Sequence, residues 1–171
     1  SALLAREAGF DGVDIKSCHG YLFQEVIAAY NRKGEYGGSY ENRVKLLKNS
    51  IRSAKVYETP SFFVTSRIGI YDGYPKKSRG FGQDENGKLD LTEPKRLVKE
   101  LKDELGLSFI NITMGNPYAT THVTRPFDSG KYIPDEHPFE GIARMSSSLG
   151  EIKKEVPDMT IYGSAPTYLR E

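Results

Sequence analysis

The sequence predicts an α/β protein built of parallel strand–helix units, and three observations carry that prediction. Four short apolar runs, "GVDI" (12–15), "SFFVTS" (61–66), "SFINIT" (108–113) and "MTIYG" (159–163), begin at near-equal intervals. Each is rich in β-branched or aromatic residues and too short for a helix. Amphipathic helical patterns fill the spaces between them, and near-continuous apolar strands alternating with helices belong to parallel sheets covered by helices. The connections after the runs are long (16–40, 67–91, 113–138), whereas those after the helices are short ("ETP", "GL", "PD"). In α/β folds, sites form where strands end at their carboxyl side.

The elements follow in order. "SALLAREAGF" lacks an initiator Met and reads as the last turns of a helix. "ENRVKLLKNSIRSAKVY" places Val44, Leu47, Ile51 and Ala54 on one helical face. Thr92 is expected to cap "EPKRLVKELKDELG", with Pro94 in the first turn and Gly106 as the stop. "FEGIARMSSSLGEIKKEV" keeps Ile142, Met145, Leu149 and Ile152 in step. The closing "APTYLRE" reads as a helix beginning, with Pro166 in its first turn. Residues 1–171 are therefore expected to form one fragment of a larger domain, truncated at both ends.

Composition narrows the function classes. With 24 basic and 23 acidic residues, the net charge is +1 and basic residues are scattered, which offers no argument for nucleic acid. No apolar run approaches a membrane span, and no signal-peptide pattern is present. A single Cys excludes an internal disulfide and any multi-cysteine metal site. These features favour a cytoplasmic protein acting on a small-molecule substrate, with no metal.

The chemistry concentrates after the first strand. "DIKSCHGYL" sets Lys16, Cys18, His19 and Tyr21 at its end, and "NRKGEYGGSYENR" follows. Gly37 and Gly38 permit a tight loop and Ser39 is suited to cap the next helix. Together these segments resemble the Old Yellow Enzyme family of flavin oxidoreductases. The family pattern is a strand ending in His-x-x-His/Asn-Gly-Tyr-Leu, then Asn-Arg-x-x-x-Tyr-Gly-Gly-Ser-x-x-Asn-Arg. Asn31, Arg32, Tyr36, Gly37, Gly38, Ser39, Asn42 and Arg43 match its second half. The resemblance implies a partial (β/α)8 TIM barrel of about four parallel βα units, strands four to seven of the family barrel. It also implies FMN as cofactor and NAD(P)H as reductant.

The resemblance further implies roles. Lys16 and His19 would grip the acceptor's electron-withdrawing oxygen, and Tyr21 would protonate carbon. Lys16 stands where the family more commonly has His. Arg67, after the second run, would contact the flavin ring and favour its anionic reduced form. Gly163 and Ser164 would meet the FMN phosphate, with the following helix's N-terminus. Structural alternatives stand beside each role: His19 bonding a backbone carbonyl, Tyr21 packing, Arg67 paired with Asp72, and 31–43 as a loop fastening. Cys18 reads as packing. His122 and His137, with Arg125 and Tyr132, lie in a loop placed to cover substrate and receive no role. Two rival functions remain: a Schiff-base lyase using Lys16, and a non-catalytic half-barrel scaffold. Four strands cannot close a barrel, so the open edges predict a homo-oligomer or missing segments of the same chain.

Overall fold

The computed structural model describes residues 1–76, 78–130 and 132–164. Its elements are α1 (Ala2–Glu7), β1 (Gly12–Ser17), α2 (Leu22–Ile27), α3 (Tyr40–Lys55), β2 (Phe63–Gly69), α4 (Thr92–Asp103), β3 (Phe109–Thr113), α5 (Thr121–Thr124), α6 (Pro138–Glu155) and β4 (Thr160–Gly163). The four strands form one sheet in the order β1-β2-β3-β4, every neighbour parallel. All four apolar runs are thus strands, and the α/β class holds, with four successive parallel strands joined by helices among the described residues.

Alternation along the strands divides the sheet into two faces. Val64, Ile68, Ile110 and Ile112 are buried against Val44, Leu47 and Ile51 of α3, Leu97, Val98 and Leu101 of α4, and Met145 and Ile152 of α6. The expected apolar face of α3 is buried throughout, and α6 buries Met145 and Ile152 most fully. The opposite face is open: Asp14 and Lys16 are exposed, as are Phe63 and Tyr162. In-register pairing of Lys16 with Arg67, Arg67 with Asn111, and Asn111 with Tyr162 draws one row of side chains across this open face.

Two local expectations are corrected. The second strand begins at Phe63 rather than 61, because Thr59 and Phe62 pair across a tight turn. It runs on to Gly69 because Arg67, Ile68 and Gly69 ladder onto β3, so Arg67 is a strand residue. Thr92 is the first residue of α4, not its cap. The cap position is Leu91, and Asp90 accepts the Thr92 N–H at 2.9 Å. Gly106 stops the segment as expected, at φ +65°. The expected helix start at Pro166 lies outside the described residues.

Candidate active site

β1 carries Lys16 to the carboxyl rim of the sheet, level with Arg67 of β2. The chain then turns sharply through two left-handed residues, His19 at φ +64° and Gly20 at φ +71°. This turn drops Tyr21 at the N-cap of α2. The Lys16 ammonium lies 3.6 Å from the centroid of the Tyr21 ring. Nε2 of His19 sits 3.2 Å from Oγ1 of Thr113, at the end of β3. Burial lowers the His19 pKa, and the charges of Lys16 and Arg67 lower it further. His19 is therefore neutral at pH 7. Its partner is a hydroxyl rather than a backbone carbonyl, and Tyr21 is more than packing: its hydroxyl lies 2.7 Å from that of Tyr118.

Arg67 does not pair with Asp72. Asp72 is buried, and its carboxylate is committed elsewhere: Oδ1 accepts from Nε2 of Gln24 and Oδ2 from the N–H of Phe81, each at 2.8 Å. Burial raises its pKa to about 6. Among the described residues Arg67 has no carboxylate partner, and its Nε is buried without a hydrogen bond. Lys16 likewise makes no ion pair among the described residues. Cys18 is fully buried, and desolvation pushes its thiol up to about 11, which suits packing rather than reactivity.

Gly163 and Ser164 end β4. The Ser164 N–H donates to the Ile112 carbonyl at 3.0 Å, and its hydroxyl donates to Oδ1 of Asn111 at 2.7 Å. Ser164 thereby joins the row on the open face through Asn111. The 31–43 motif is a fastening. Arg43 is 2% exposed and donates to the carbonyls of Ile27 at 2.6 Å and Gly38 at 3.0 Å, and to Glu93 at 2.5 Å. Gly37 has no room for a Cβ, which would fall 2.3 Å from the Arg32 carbonyl. Ser39 caps α3 by accepting the Asn42 N–H.

Several site residues escaped sequence reasoning. Thr113 reaches the site from the end of β3 and Asn116 and Tyr118 from the loop after it, and Gln24 of α2 bonds Asp72 of the loop after β2. "GNPY" marks a turn but not its destination. His122 bonds Tyr132 and His137 caps α6, both away from this cluster. No group of three or more His, Cys, Asp or Glu among the described residues is placed to hold a metal. No helix among them is long and apolar enough to cross a membrane.

A family model described as the NADH:flavin oxidoreductase / NADH oxidase family matches residues 1–129. The chain belongs to this family. Relatives of this flavin oxidoreductase chain include the NADPH dehydrogenase of Bacillus velezensis, 42% identical over 118 residues. That of Bacillus subtilis is 43% identical over 118 residues. Each match covers 67% of this chain and 30% of the relative, so the chain spans under a third of these relatives' length. In fold, it aligns with a 2-naphthoyl-CoA reductase complex at a TM-score of 0.68 and 16% identity, over 95% of this chain and 21% of that one. It aligns with histamine dehydrogenase from Rhizobium sp. 4-9 at 0.55 and 18%, over 96% and 24%. The four parallel strands of this family member, with the helices between them, match a partial TIM barrel.

Proposed function

We propose that this chain forms part of an FMN-dependent NAD(P)H oxidoreductase that reduces an activated alkene or a comparable small-molecule acceptor. The observation that carries the reading is convergence. Lys16, His19 and Tyr21 share the carboxyl rim with Arg67, in a chain of a flavin oxidoreductase family. The residues fit a flavin. Among the described residues, a buried guanidinium N–H without a partner and an ammonium without a carboxylate stand side by side on an open face of the sheet. Such groups suit the electron-rich edge of an isoalloxazine.

When bound, FMN would supply the hydride transfer that no side chain here performs. The chain's own residues would do the rest. Arg67 would hold the ring edge, and Gly163 and Ser164 would face the phosphate end. Lys16 and His19 would hold the acceptor's electron-withdrawing oxygen, stabilising the charge that grows there. Tyr21 would give its Oη proton to the acceptor's carbon. For Nδ1 of His19 to donate to the acceptor, Nε2 must accept from the Thr113 hydroxyl, so Thr113 would fix the tautomer. The chain would act as four of a barrel's eight units, together with further segments of the same chain or a second copy.

Tyr21→Phe in the FMN-loaded protein tests this reading. Alkene reduction is expected to fall by ~100-fold while NAD(P)H still reduces the flavin. Unchanged turnover would defeat it.

A further inference from the structure

Tyr118 lies on the loop after β3, yet its hydroxyl is 2.7 Å from that of Tyr21, with the rings edge-on at 6.2 Å. The loop is held there from several sides. Oδ1 of Asn116 accepts the Tyr118 N–H at 2.8 Å, and Nδ2 donates to the Tyr74 hydroxyl at 2.7 Å. That same Nδ2 lies 2.2 Å from where a Cβ of Gly20 would fall, so the loop seats against the residue preceding Tyr21. Oγ1 of Thr120 accepts the Asn116 N–H and donates to the Asp72 carbonyl. Tyr118 is 78% exposed and Tyr21 46%. Of the two, Tyr118 is the more open to water. The hydrogen bond to Tyr21 holds the Tyr118 phenol above its ordinary pKa, so Tyr118 keeps its proton at neutral pH. The Lys16 ammonium lies against the ring that must turn negative.

We propose that Tyr118 is a proton-relay residue that returns a solvent proton to Tyr21 after each turnover. The inference rests on Tyr21 being the proton donor. As the C–H bond forms on the acceptor, the Oη–H bond of Tyr21 breaks and its electron pair stays on Oη. The Tyr118 proton then crosses the 2.7 Å contact, leaving a phenolate on Tyr118. Water protonates that phenolate, and buffer neutralises the hydroxide. Both phenols are restored, the solvent has lost one proton, and NAD(P)H has supplied the hydride.

Tyr118→Phe removes one exposed hydroxyl and keeps the ring. In the FMN-loaded protein, with maleimide as the probe alkene, kcat is expected to fall ~10-fold with KM changed less than about twofold. Added imidazole buffer should restore kcat in proportion to its concentration, which a purely structural role would not allow. In protein labelled with ¹³C at tyrosine Cζ, the Tyr21 resonance should move in Tyr118→Phe. A wild-type kcat without buffer dependence in Tyr118→Phe, beside a crippled Tyr21→Phe, overturns the relay and leaves Tyr21 as donor. A Tyr21 resonance indifferent to the loss of the Tyr118 hydroxyl also overturns it. Wild-type turnover by Tyr21→Phe removes the donor role, and the relay with it.

Discussion

At the scale of single residues, neighbours decide what each polar group does. His19 illustrates this: burial and two cations keep it neutral, and a threonine hydroxyl occupies one ring nitrogen. Thr113→Val removes that hydroxyl at nearly constant volume. The expected result is a ~10-fold loss of kcat with the flavin still bound, read by steady-state kinetics and the absorption spectrum. Asp72 has the opposite character. Its folded pKa of about 6 exceeds the ordinary 3.8. Below pH 4 the carboxyl is protonated in both folded and unfolded chains, and its contribution to stability is fully present. Between pH 4 and 6 the unfolded chain releases the proton first, so stability falls by roughly 2–3 kcal/mol. Asp72→Asn is expected to flatten that part of the profile relative to wild type in urea melts at pH 4 and pH 7. That Lys16, His19, Tyr21 and Arg67 meet at one rim was legible because each falls at or just after a strand's carboxyl end. The parts of Thr113 and Tyr118 were not, nor was the pairing of Asp72 with Gln24 instead of Arg67, because each depends on contacts between segments distant in sequence.

At the scale of elements, the strongly patterned pieces were legible and their ends were not. The strand at 61–66 was displaced by a turn at Thr59–Phe62 and lengthened by its partner β3. Pairing, not local composition, fixed its span. The Thr92 cap failed because Thr92 is already the first helical residue, and its own N–H is accepted by Asp90 two residues earlier. Ser39 at the start of α3 behaved as read, and Ser39→Ala is expected to cost about 1 kcal/mol. The loop before it is held more strongly. Arg43→Ala would strand two carbonyls and free Glu93, and is expected to cost about 3 kcal/mol in denaturant melts. Of the ion pairs joining α3 to α4, Arg96 with Glu41 at 2.9 Å is a surface feature of smaller worth, whereas Lys48 with Glu100 at 3.0 Å is largely buried.

At the scale of the molecule, the sheet has two open edges among the described residues. The outer edge of β1 borders a groove of about 940 Å³ lined by Ala2, Ala5, Val13, Ile15, Phe23 and Tyr57. Leu4 and Phe10 are 68% and 66% exposed near that side. Parallel strands carry apolar groups on both faces because helices and neighbouring strands normally cover them. The chain by itself is therefore expected to associate, giving a concentration-dependent sedimentation coefficient, and to lose FMN on desalting. A monomer that keeps the flavin absorbance would contradict both expectations. The two cations at the rim, Lys16 and Arg67, sit in register without carboxylate partners among the described residues.

The pair of left-handed residues at the end of β1 shapes how position 19 should be mutated. Valine or isoleucine there would be penalised by backbone geometry before any question of chemistry arises. Asparagine, which tolerates that conformation, is the informative replacement. An alanine scan across this turn would mistake a folding defect for a catalytic one.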